Sequence, residues 1–119
     1  LNYQGDKFDK GFDANSYILI TKMLDYFDLV KNNKNNALAT FSNAKCQCLV
    51  VSFSSDWRFS PKCSEEITDA LIGADKNVSY LRIESDQGHD AFLLPDARYE
   101  NGVSLYLNRV ADQLEAEQP

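Results

Sequence analysis

The stretch that decides the fold runs from residue 48 to residue 83 and reads CLVVSFSSDWRFSPKCSEEITDALIGADKNVSYLRI. It opens with a compact apolar run, CLVVSF (48–53), and closes with a second, VSYLRI (78–83). Each is six residues of β-branched, aromatic and aliphatic side chains, short enough for a strand and continuous enough for one covered on both faces. Between them, Ser60 stands as an N-cap before Pro61, the residue preferred at the first helical position. Cys63, Ile67, Ala70, Leu71 and Ala74 recur on one helical face, and Gly73 lies where a helix end often needs a left-handed residue. Strand, helix and strand in this order form a right-handed βαβ crossover with parallel strands.

Outward from this unit the pattern continues. Upstream, Tyr17, Ile20, Leu24 and Phe27 repeat at helical spacing, with Asp13 or Asn15 as cap, predicting a helix to about residue 30. Ile18, Leu19, Met23 and Tyr26 widen its apolar face beyond what one neighbour covers. Residues 1–12 read as a loop, KNNKNN (31–36) as a polar connection, and Ala37 to Phe41 as a short helical turn. Downstream, Asp96 caps a last helix through about residue 116, with Val103, Tyr106, Leu107, Val110 and Leu114 facing inward and a frayed tail from Glu115 to Pro119. The fold class is therefore α/β, parallel strands with flanking helices. Two strands are too few for an independent sheet, so more strands must come from elsewhere. The chain opens on Leu1 and its single methionine is Met23, which predicts a piece of a longer protein.

Composition narrows the function classes. The 119 residues are 44% hydrophobic and 25% charged, the balance of a soluble globular domain. A net charge of −6 disfavours nucleic acid and anionic membranes, which need a basic face. No apolar run approaches the ~18 residues of a membrane helix, and no secretory signal is visible. Three unevenly spaced cysteines make no disulfide framework, which points to the cytoplasm. Cys46 and Cys48 read as strand packing before a metal fragment, and Cys63 as core; no metal and no bound cofactor are expected.

In a βαβ unit the loops after the strand ends share one rim of the sheet, where ligands and catalytic groups collect. The first loop carries Asp56, and the second carries the single histidine, His89. Aspartate orients one imidazole nitrogen so that the other accepts a proton from a hydroxyl nucleophile. Asp then His is the second half of the nucleophile, acid, histidine order of α/β-hydrolases. The alternatives are a turn-forming Asp56 and a surface His89. No Gly-x-Ser-x-Gly occurs, so the nucleophile lies outside this chain; Ser54 and Ser55 shape the aspartate loop, and Trp57 walls a pocket or covers the sheet end.

Four stretches carry a resemblance: LVVSFSSDWRFSP (49–61), VSYLRIES (78–85), QGHDAFLLP (87–95) and FDANSYILITKMLDYFD (12–28). They resemble the C-terminal part of the homoserine O-acyltransferases of the α/β-hydrolase superfamily, from about Gly5 to about Val110, the KNNKNN loop excepted. The resemblance implies that residues 1–119 are a C-terminal fragment of one α/β-hydrolase domain. A leading helix spans about 13–30, and strand–helix–strand–helix over 46–119 gives the βαβα portion. It implies Asp56 and His89 as triad members, Asp90 as a ligand of homoserine, and Arg58 as the group that sets acyl-CoA choice. A guanidinium suits the free carboxylate of succinyl-CoA, whereas acetyl-CoA users commonly carry a leucine-type residue there. The alternatives are a loop-capping Asp90 and a surface Arg58 paired with an acid. The implied activity is ping-pong acyl transfer from acyl-CoA, a co-substrate, to L-homoserine in methionine biosynthesis. The full-length protein would be a cytoplasmic homodimer, and the fragment alone inactive. Acetyl-CoA as donor, a plain α/β-hydrolase esterase and a non-catalytic interaction module are the rival readings.

Overall fold

The computed structural model describes Gly5, Gly11, residues 13–31, Lys34 and residues 36–117. The loop expected over 1–12 falls outside these residues except for Gly5 and Gly11, which carry helical backbone; of the frayed tail expected from Glu115, only residues 118 and 119 fall outside, and the helix persists to Ala116. The chain divides into two compact units, Leu1–Asn35 and Asn36–Pro119.

The first unit holds α1, Ala14–Tyr26. Asp13 caps it, its carboxylate accepting the Ser16 N–H at 2.7 Å. The helix stops short of residue 30 because Asp28 intervenes. Its Oδ1 accepts the N–H groups of Val30 and Lys31 at 3.0 and 3.1 Å, a local alternative to the helical ladder. No residue of α1 is buried.

The second unit is the α/β body. Its elements are α2 (Ala37–Phe41), β1 (Cys48–Phe53), α3 (Pro61–Gly73), β2 (Val78–Ile83), a 3₁₀ helix (Gly88–Leu93) and α4 (Ala97–Ala116). The expected α/β class, with parallel strands and flanking helices, is the observed one. β1 and β2 pair in parallel, in register from Cys48 opposite Val78 to Phe53 opposite Ile83. Phe53, Ile83 and Ala91 form the buried cluster, with Val51, Leu81 and Tyr99 packed against it. The Phe53 and Tyr99 rings meet edge to face at 5.4 Å. Gly102 of α4 lies so close to the Leu81 side chain that a Cβ would collide with it. On the opposite face, Ser52 and Tyr80 share a hydrogen bond at 2.7 Å, and Arg82 pairs with Glu65 of α3.

Several helix details depart from the sequence reading. Pro61 begins α3, but the Ser60 hydroxyl caps no N–H and lies 3.4 Å from the Cys63 sulfur. Cys63 is exposed, as is Ile67, while Thr68, Ala70 and Leu71 are buried. Thr68 turns inward because its hydroxyl donates to the Ser64 carbonyl at 2.8 Å and so brings no unmet polar group with it. The left-handed residue after α3 is Asp75, at φ 56°, with Lys76 N–H donating to Leu71 and Asp75 N–H to Ile72. Gly73 instead makes room for Leu38 of α2, whose Cδ2 would lie 2.7 Å from a Cβ there. In α4, Val103, Tyr106 and Val110 are half-buried, whereas Leu107 and Leu114 face solvent.

Candidate active site

β1 and β2 end side by side, so the loops that follow them lie along one rim. Asp56 follows β1 by a tight turn in which its N–H donates to the Phe53 carbonyl at 3.1 Å. Its Oδ1 accepts two backbone N–H groups, from Arg58 and Phe59, both at 2.9 Å. Its Oδ2 lies 3.0 Å from Nδ1 of His89. Burial pushes this carboxyl up, but the Phe59 N–H, His89 and the Arg58 N–H together hold it below its ordinary value of 3.8. Asp56 is therefore a buried carboxylate (7% exposed) with both oxygens occupied and one aimed at an imidazole.

His89 sits in the 3₁₀ helix, immediately after Gly88 at φ +68°. That conformation suits glycine, and it turns the chain so that the next side chain points back to Asp56. The imidazole is half-buried, with Phe59 and Phe92 meeting it edge to face at centroid distances of 5.1 and 6.0 Å. Nδ1 faces the carboxylate, and Nε2 has no hydrogen-bond partner among the described residues. A pocket of about 370 Å³ opens here, lined by Asp56, His89, Phe59, Phe92, Ser64 and Tyr99. An imidazole oriented through Nδ1 and free at Nε2 in an aromatic pocket is equipped to take a proton from a hydroxyl.

The other expected residues flank this pair. Arg58 is exposed, and its guanidinium makes no hydrogen bond or ion pair among the described residues. Asp90 lies in the first turn of the 3₁₀ helix, exposed and next to His89. Trp57 is 82% exposed and does not line the pocket beside His89. Cys46 is exposed, not packed in the strand, and its sulfur lies 3.9 Å from that of Cys48. Burial and the neighbouring Cys46 push the Cys48 thiol up. No cluster of three or more metal-ligating side chains occurs among the described residues, and no helix there is long and apolar enough to cross a membrane.

No family model matches the chain. It is 59% identical over 110 residues to a homoserine O-succinyltransferase of Cellvibrio japonicus. It is 52% identical over 117 residues to one of Marinomonas sp., and 52% over 111 residues to one of Pseudomonas putida. The chain is homologous to part of the homoserine O-succinyltransferases. The resemblance drawn from the sequence motifs is thereby borne out. The matches take in 92%, 98% and 93% of this chain, which spans only about 30% of the length of these homoserine O-succinyltransferases.

Sequence reasoning missed the rings around His89 and the short helix that carries it. Phe59 and Phe92 stand three residues after each polar member of the pair, a spacing that acquires meaning only once both loops are folded. Gly88 was the available signal: a glycine directly before the single histidine marks a backbone turn at that point.

Proposed function

We propose that the complete protein transfers an acyl group from an acyl-CoA thioester to the hydroxyl of L-homoserine, with succinyl-CoA as the favoured donor. The observation that carries this reading is the 3.0 Å contact between His89 Nδ1 and an Asp56 carboxylate whose other oxygen is already held by two N–H groups. A serine supplied by the rest of the protein attacks the thioester carbonyl while His89 Nε2 takes its proton. The C–S bond breaks, CoA leaves as the thiol with the proton returned by His89, and an acyl-serine ester remains. His89 then takes the hydroxyl proton of homoserine, whose oxygen attacks the acyl carbonyl; the bond to serine breaks, His89 returns the proton to the serine oxygen, and the O-acyl ester is released. Asp56 keeps the imidazole in the required tautomer and stabilises its charged form. In this reading Asp90, exposed and next to His89, receives the ammonium group of homoserine. The Arg58 guanidinium, without an ion-pair partner among the described residues, suits a succinyl carboxylate, which it binds with two parallel hydrogen bonds. The names of the relatives support the same donor. The product feeds methionine biosynthesis in the cytoplasm, and the complete protein works as a homodimer without metal or bound cofactor.

The test is thiol release by the complete protein with L-homoserine, comparing succinyl-CoA with acetyl-CoA. Faster release with succinyl-CoA is expected, and Arg58→Leu should cost that donor roughly tenfold or more in kcat/KM while sparing acetyl-CoA. Faster release with acetyl-CoA keeps the transferase and removes Arg58 from donor choice. Release with neither donor, alongside hydrolysis of simple esters, replaces the transferase with an esterase.

A further inference from the structure

Three consecutive residues after β1 each send a side chain across to the loop after β2. Ser54 Oγ accepts the Ser85 N–H at 2.9 Å and donates to the Ser85 carbonyl at 3.1 Å. Ser55 Oγ accepts the Gly88 N–H at 2.9 Å. Asp56 Oδ2 meets His89 Nδ1. The backbone of Ser54 still bonds to β2, its N–H donating to the Ile83 carbonyl at 2.9 Å. Where the backbone ladder ends, side chains continue the join.

We propose that Ser54 and Ser55 are positioning residues that clasp the aspartate loop to the histidine loop and so set the Asp56–His89 hydrogen bond. The inference rests on reading Asp56 and His89 as the orienting carboxylate and the base. Both serines act at the backbone of the histidine loop. Ser54 holds both polar groups of Ser85. Ser55 holds the peptide N–H of Gly88, the residue whose left-handed conformation aims His89. Among the described residues, no other hydrogen bond crosses between these two loops apart from the Asp56–His89 contact. The remaining anchors act elsewhere. The Arg58 and Phe59 N–H groups fix Asp56 within its own loop. The Phe59 and Phe92 rings confine the imidazole laterally without a directional bond. Without the hydroxyls, the Asp56–His89 contact is the one hydrogen bond left between the two loops among the described residues, and only apolar packing of Ala91 against Phe53 supports the geometry it needs. A shift of about 1 Å in such a contact costs on the order of a hundredfold in rate.

The experiment uses the complete protein with Ser54→Ala, Ser55→Ala and the corresponding Ser→Thr variants. Each alanine variant should lose about ten- to a hundredfold in kcat with KM for homoserine within about twofold, since the substrate contacts are untouched. The downfield proton resonance of His89 Nδ1–H should shift upfield and exchange faster with water. Threonine keeps the hydroxyl, so Ser55→Thr should restore both rate and resonance. Should an alanine variant fail to fold, Ser55→Cys keeps the volume, weakens the hydrogen bond and carries the same expectation. Wild-type kcat in both alanine variants, an unmoved Nδ1–H resonance, or equal losses in alanine and threonine variants overturns the inference. Full activity of His89→Ala instead overturns the reading beneath it, so the two failures are distinguishable.

Discussion

Asp56 divides its two oxygens between its own turn and the imidazole of His89. Its Oδ1 closes the turn after β1 through two N–H groups, while its Oδ2 faces the imidazole. Asp56→Asn separates these roles. The amide oxygen still accepts from Arg58 and Phe59, so the turn stays closed and the thermal midpoint should stay within about 5 °C of wild type. The amide nitrogen now faces His89 Nδ1 as a donor. That forces the imidazole into the tautomer protonated at Nε2, which cannot take a proton from a hydroxyl. In the complete protein kcat should fall on the order of 10⁴-fold. A loss below about tenfold would remove Asp56 from the base mechanism. This pair was legible in the sequence because parallel strands place successive loops on one rim, whatever the loops contain. The hydroxyl clasp was legible only in outline. Ser54 and Ser55 read as loop-shaping residues, but their partners are backbone groups of Ser85 and Gly88, which leave no side-chain signature.

At the scale of elements, the start of α4 carries a charge pair joined to a helix cap. Asp96 caps the helix through the Arg98 N–H at 2.9 Å and pairs with the Arg98 guanidinium at 2.6 Å. Arg98 also donates to the Glu84 carbonyl at 2.8 Å, tying the helix start to the chain leaving β2. The guanidinium bond, outweighing desolvation and joined by the Arg98 and Tyr99 N–H groups, holds the Asp96 carboxyl at about 2, below its ordinary 3.8. A lowered native value means the unfolded chain binds the proton more readily. The charge therefore stabilises the fold fully above about pH 4 and progressively less as pH falls towards 2. Asn caps helices as well as Asp, so Asp96→Asn removes the charge and keeps the cap. In the complete protein the variant should melt lower than wild type at pH 7, with the gap closing below pH 4 when followed by circular dichroism. A gap that stays constant with pH would assign the effect to lost capping geometry. The strands and the start of α4 were legible because apolar runs and cap residues act locally. The end of α1 and the role of Gly73 were not. The first depends on Asp28 competing for two N–H groups, the second on Leu38 approaching from another element.

At the scale of the whole chain, the apolar surface is out of proportion to the core. The buried apolar side chains among the described residues are Phe53, Ala70, Leu71, Ile83 and Ala91, two of them alanines, and none of the large ones is below 2% exposed. The sheet has two strands, fewer than an independently stable sheet needs. In the first unit, Tyr17, Ile18, Leu19, Ile20, Met23 and Leu24 of α1 are all exposed. So small a buried set gives the described residues little of the apolar burial on which a cooperative fold rests. The 119-residue chain on its own should bind a hydrophobic dye such as ANS and unfold over a broad range without a sharp transition. The rest of the longer protein should abolish the dye binding when present. The isolated chain should also release no thiol from acyl-CoA with homoserine, because no Gly-x-Ser-x-Gly nucleophile motif occurs in it. A sharp cooperative transition without dye binding would show that these elements stabilise one another more than their burial allows. Thiol release above background would require a nucleophile among these residues and would move the chemistry away from a serine supplied by the remainder of the protein.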